Sequence, residues 1–164
     1  MNTLRLTTLI AVFLLLCTNG IQAQNTETKL EQVELMKQFV GTWKFDIDKE
    51  TTIVWDMKSF GIGMEGYYRV ATKETTNMEG KQLWGYDENL DKWISAQMMK
   101  GVAPQLYAHW FTSKNKWTTI SYRDISNPTS EKWDMEFKSP DELTSSWIRH
   151  SKPVQVKTFT RVRN

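Results

Sequence analysis

Reactive side chains are scarce in this chain. Of its 164 residues one is cysteine, Cys17, and two are histidine, His109 and His150. A single cysteine excludes an internal disulfide framework. Two histidines without cysteine partners exclude the usual structural zinc sets and leave only a mixed His–carboxylate site. There is no G-x-S-x-G, no H-E-x-x-H, no P-loop, and no G-x-G-x-x-G opening a helix. Gly61-Ile62-Gly63 lacks the third glycine and reads as a turn. Net charge is only +2 and the basic residues form no stripe, which argues against a nucleic-acid partner. The long apolar run Leu9 to Leu16 is too short to hold a protein across a bilayer.

That run has a different meaning. Met1-Asn2-Thr3-Leu4-Arg5 is a short basic opening, the apolar run follows, and Ile21-Gln22-Ala23 ends on a small residue. This is the pattern of a secretory signal peptide over residues 1–23. Cys17 follows Leu14-Leu15-Leu16 instead of the small residue a lipid-attachment site would place there. Cleavage after Ala23 would remove the only cysteine and leave no stable membrane anchor. The expected address is secreted or periplasmic. Residues 24–34 form a polar leader and the start of a short helix, and residues 35–164 form one domain. About 140 residues are enough for a single core and too few for two.

Within the domain the hydrophobic period changes once. Leu30, Val33, Met36 and Val40 follow helical spacing. Gly41 then stands where a helix ends, a place that often requires positive φ. From Trp43 the period is two: Trp43, Phe45 and Ile47 alternate with Thr42, Lys44 and Asp46. Alternating stretches recur at 51–58, 64–73, 81–87, 92–99, 105–112, 116–123, 131–138, 142–150 and 154–163. Thr75 to Gly80 reads as a loop, and Asp87 to Asp91 and Ser113-Lys114-Asn115 as hairpin turns. Asn127-Pro128 and Ser139-Pro140 mark two further turns, and Gly66 reads as a bulge or sharp bend. About ten short-linked strands predict an all-β fold, an antiparallel up-and-down barrel with a short N-terminal helix. A two-sheet sandwich is the alternative.

Eight tryptophans fall on eight different strands, and the remaining two strands carry Tyr67-Tyr68 and Phe159. Trp43, Trp55 and Trp133 alternate with polar residues and are expected to point inward. Trp84, Trp93, Trp110 and Trp117 lie on strands whose two faces alternation does not separate. Aromatic and thioether side chains suit a cavity for an apolar or flat guest. The candidate ligand-binding residues are Trp55, Tyr68, Met98, Trp133, Met135 and Trp147, with Arg149 on the same strand face as Leu143 and Trp147. An inward Arg149 would bind a carboxylate in a bidentate fashion. Asp46 with Asp48, and Asp87 with Asp91, read as solvated turn charges.

A short helix, then Gly41-Thr42-Trp43 opening the first of many antiparallel strands, resembles the lipocalin-like (calycin) barrels. Gly85-Tyr86-Asp87 before a charged turn and the terminal Thr160-Arg161-Val162 extend the resemblance to a bacterial family of secreted lipocalin-like proteins. It covers roughly residues 35–164. The T-D-Y motif and the disulfide of true lipocalins are missing, so the likeness is to a looser relative. The resemblance implies that Arg161 packs across Trp43, with Gly41, Trp43 and Arg161 closing one barrel end. Some ten-stranded relatives hold haem through a histidine near the carboxyl end, where His150 stands. The residues themselves give it no further ligand, and no cofactor is expected.

Three functions fit this pattern. The first is a binding barrel for a small hydrophobic or amphiphilic ligand. The second is an enzyme using acid–base residues at the barrel mouth, with His109 and Tyr107 or Glu65 as candidates. The third is a solidly filled barrel acting as an interaction module.

Overall fold

The computed structural model describes residues 30–72, 74–124 and 127–163. The expected signal peptide and most of the leader lie outside the described residues. Among those described, no helix is long and apolar enough to cross a membrane.

A five-residue helix, α1 (Gln32–Met36), and one 3-10 turn (Lys37–Phe39) lead into ten strands. These are β1 (Gly41–Asp46), β2 (Thr52–Phe60), β3 (Gly63–Ala71), β4 (Thr76–Asp87) and β5 (Lys92–Met99). Then follow β6 (Gln105–Ser113), β7 (Lys116–Asp124), β8 (Asn127–Ser139), β9 (Glu142–Arg149) and β10 (Lys152–Arg161). Each strand pairs antiparallel with its neighbours in sequence, and β1 pairs with β10 at Trp43↔Arg161 and Lys44↔Thr160. The sheet is therefore a closed up-and-down barrel, as the strand spacing predicts, and closure leaves no free sheet edge. The sandwich alternative falls.

α1 has no side-chain cap. So short a helix is held by what it buries. Met36 and Phe39 are wholly buried inside one end of the barrel. Gln32, also buried, donates from Nε2 to the Phe111 carbonyl (3.1 Å) and accepts the Phe111 N–H at Oε1 (2.6 Å). Its own carbonyl accepts from Trp93 Nε1 at 3.1 Å. One polar residue thus joins the helix to β5 and β6 while satisfying buried groups that would otherwise be orphaned.

The rest of this floor is aromatic. The Phe39 ring lies 4.6 Å from Trp55, 5.5 Å from Trp117 and 5.8 Å from Trp84, centroid to centroid. Trp43 donates its indole N–H to the Phe39 carbonyl at 2.9 Å. Arg161 lies across the Trp43 ring with its guanidinium carbon 4.2 Å from the centroid. It donates to the carbonyls of Val40 (2.5 Å), Gln38 (2.7 Å) and Pro140 (2.8 Å). Gly41 takes φ +130°, and a Cβ there would run into the Arg161 guanidinium. The three residues Gly41, Trp43 and Arg161 form one closing unit.

Several local expectations need correction. β1 stops at Asp46, and Ile47 is 49% exposed, because Asp48 accepts the N–H groups of Glu50 and Thr51 and turns the chain. Thr76 to Gly80 belongs to β4 and is no loop; it continues the pairing of Val70↔Met78 and Tyr68↔Gly80. Asn127 and Pro128 belong to β8, paired with Asp124 and Tyr122 across register shifts. Gly66 makes no bulge: it pairs regularly with Met57 and Gln82. What it supplies is room, since a Cβ would come within 2.6 Å of Met57 Sδ.

Candidate binding cavity

Alternation makes the inward residues of each strand a column running from the floor to the open end. On β6 the column is Phe111, His109, Tyr107, Gln105; on β5 it is Trp93, Ser95, Gln97, Met99. Above the floor these columns leave a cavity of about 250 Å³.

Its two sides differ in chemistry. Strands β2, β3, β8 and β10 supply Ile53, Trp55, Tyr68, Trp133, Met135 and Phe159. Strands β4 to β7 supply the polar groups of Gln82, Gln97, Gln105, Tyr107, His109 and Thr119, set among the apolar Met78, Trp84, Met99 and Trp117. The three glutamines are cross-strand partners, Gln82↔Gln97↔Gln105. Gln82 donates to Gln97 Oε1 at 2.6 Å and accepts the Trp55 indole N–H at 2.8 Å, which ties the polar side to the apolar one. Tyr107 donates its hydroxyl hydrogen to Gln105 Oε1 at 2.7 Å.

His109 is almost fully buried and stacks on Trp84, with ring centroids 3.9 Å apart and planes 21° from parallel. Its Nε2 lies 2.8 Å from Ser95 Oγ and its Nδ1 lies 2.8 Å from Thr119 Oγ1. Burial pushes its pKa down to about 3, so the imidazole is neutral at physiological pH. Burial, followed by the charge of Glu131, raises Tyr107 to about 12. Ser95 is 1% exposed and does not line the cavity, so the Ser95–His109 pair offers no accessible nucleophile.

The sequence-predicted ligand residues are only partly gathered here. Trp55, Tyr68, Trp133 and Met135 line the cavity. Met98 does not: it faces outward, 56% exposed, and Met99 is the residue of that pair on the inner face. Trp147 sits opposite Trp133 in register but outside the lining. Its buried indole N–H has no hydrogen-bond partner among the described residues. Arg149 is on the face alternation gives it, at the open end, where it lies over the Trp147 ring at 4.7 Å. It is not a free anion receptor, because Glu131, its register partner on β8, accepts from it at 3.0 Å. Glu131 went unnoticed in the sequence because it is the first residue of the alternating segment 131–138, at its very edge.

Of the acid–base candidates, His109 and Tyr107 share the cavity, their rings 6.1 Å apart. Glu65 pairs with Lys58 and Leu83 on the face of β3 opposite to Met64, Gly66 and Tyr68, so it does not join them. His150 lies in the β9–β10 turn, exposed, at φ 50°, and does not line the cavity. Both ring nitrogens of His109, the histidine that does line it, lie within hydrogen-bond distance of hydroxyls. No cluster of metal-ligating side chains occurs among the described residues.

On the polar side, sequence reasoning named only His109 and Tyr107 and missed Gln82, Gln97, Gln105 and Thr119, together with Ser145 and Lys157. The missed signal was the alternation itself. Counting back from Phe111 in steps of two reaches His109, Tyr107 and Gln105. Compared with known proteins, the chain matches no family model and no curated protein.

Proposed function

We propose that this protein is a lipocalin-like binding barrel, secreted or periplasmic, that takes a small amphiphilic molecule into its cavity. The observation carrying this reading is the cavity itself: about 250 Å³ above a solid aromatic floor, lined all round by aromatic and thioether side chains, with a cluster of amides and hydroxyls on β4 to β7. A guest with an apolar body and polar substituents meets both needs. Protonation states favour binding over acid–base catalysis. A general acid or base works best with a pKa near the operating pH, whereas the two acid–base candidates of the sequence that line the cavity, His109 and Tyr107, stand at about 3 and about 12.

Native mass spectrometry of the protein purified from its own cells tests the reading. The expected result is a mass excess that disappears on organic extraction, and recovery of tryptophan fluorescence quenching when the extract is added back. An unliganded mass, together with no quenching by a panel of medium-chain alcohols and acids, overturns it.

A further inference from the structure

Three cations lie on the inward register of the last two strands: Arg149 on β9, and Lys157 and Arg161 on β10. Two of them are matched. Arg161 is held by three backbone carbonyls and lies 3.9 Å from Asp141, and Arg149 is bonded to Glu131. Lys157 has no ion pair and no hydrogen bond among the described residues. Its ammonium lies 5.9 Å from the Phe45 ring centroid, at the outer limit of a cation–π contact. It lines the cavity beside Phe159, two positions along the same strand, and its Cα partner on β9 is Ser145, which also lines the cavity. Among the described residues no aspartate or glutamate lines that space.

We propose that Lys157 is the anchor for an anionic head group, so that the guest is an acidic amphiphile whose carboxylate meets Lys157 and whose body lies against Trp55, Trp133 and Phe159. This rests on the binding reading above and narrows its ligand class. The reasoning is one of charge balance. A partly buried ammonium is costly while unpaired and becomes favourable when an opposite charge joins it. Burial already pushes the Lys157 pKa down, the sign of a cation short of solvation. The remaining polar lining is neutral at physiological pH: glutamines, hydroxyls, tyrosines and the neutral His109. A carboxylate therefore gains at Lys157 what an alcohol of equal length does not, and a cationic amphiphile is repelled. Ser145 stands ready to donate a second hydrogen bond.

The test uses decanoate, 1-decanol and decyltrimethylammonium at pH 7, titrated against tryptophan fluorescence of wild type, Lys157→Met and Lys157→Arg. Wild type is expected to hold decanoate at least tenfold more tightly than the ammonium compound. Lys157→Met should lose at least tenfold for decanoate and less than twofold for 1-decanol, while Lys157→Arg keeps decanoate within threefold. Free Lys157→Met should also melt no lower than wild type, and decanoate should raise the melting temperature of wild type alone. Equal decanoate binding by wild type and Lys157→Met overturns the anchor, as does parallel loss of acid and alcohol. Wild type that takes 1-decanol but not decanoate overturns the anchor and leaves the binding reading standing. Wild type that takes neither overturns both.

Discussion

The floor and the chamber of this barrel are made from the same strands, one alternate position apart. β5 gives Trp93 to the floor and Ser95 and Gln97 above it; β7 gives Trp117, then Thr119 and Ser121; β9 gives Leu143, then Ser145. Below the step, large apolar side chains meet at ring separations of 4.6–6.2 Å and are closed off by Arg161. Above it, smaller and more polar side chains leave space. Each wholly buried apolar side chain contributes roughly 1.5–3 kcal/mol, so the floor concentrates stabilisation. The chamber does the reverse. Its space opens at the barrel end and its lining is more polar, so its strands bury less apolar surface there. A barrel selected only to be stable would have continued the floor upward. The lesson of the contrast is that one end holds the fold and the other end gives up stability for an interior surface.

Three experiments break or sharpen this division. The largest effect is expected at the floor. Trp43→Ala removes the ring between Phe39, Phe137 and Arg161 and should cost about 3–5 kcal/mol in urea unfolding. Decanol affinity of the folded fraction should stay within twofold, because Trp43 does not line the cavity. A changed affinity would mean that floor and chamber are one unit.

The second effect belongs to the chamber and is a pH dependence. His109 has its pKa lowered by burial, to about 3 in the folded state. For a base with a depressed folded pKa, the unfolded chain takes up the proton first. Stability is therefore full above the unfolded value of about 6.5 and falls as pH drops from there toward about 3. Between pH 7 and pH 5 the loss from this one residue should be about 2 kcal/mol. His109→Gln should flatten that slope while lowering stability at pH 7. An unchanged slope in the variant would show that His109 is not buried as a neutral ring.

The smallest effect is expected at the rim. Arg149 and Glu131 are a half-exposed pair, and such pairs contribute about 0–1 kcal/mol. Arg149→Met should leave the unfolding midpoint nearly unchanged and shift decanoate affinity by less than twofold. A tenfold loss of decanoate in this variant would make the rim pair, and not the chamber wall, the acid receptor.

How far the sequence could be read differs around the barrel. β1, β2 and β8 alternate large apolar residues with charged or polar ones, so the inward direction of Trp43, Trp55 and Trp133 was legible. β4 to β7 reverse the contrast at chamber height. Their inner positions are Gln82, Ser95, Gln97, Gln105, His109 and Thr119, while Leu83, Ile94, Ala96, Leu106, Ala108 and Ile120 occupy the outer face. Hydropathy alone would have turned these strands inside out. Trp84, Trp93 and Trp117 are inward and buried, whereas Trp110 is outside, under the Lys92 ammonium at 4.5 Å from its ring. Met98 was misjudged for the same reason: it and Met99 differ in position by one residue and in hydropathy not at all.

By itself, then, the sequence determined the number and order of strands, most of the turns between them, and Gly41 as the point where helix gives way to strand. These follow from local rules: a period of two, turn chemistry, and a glycine at positive φ. Tertiary structure alone decided which face of β4 to β7 lines the chamber, because closure of the ring, not hydropathy, fixes the sense of each strand's alternation. It also decided that Arg149 meets Glu131 while Lys157, inside the same wall, meets no acid. Charge pairing across a barrel depends on register, and register is set by the closed sheet as a whole.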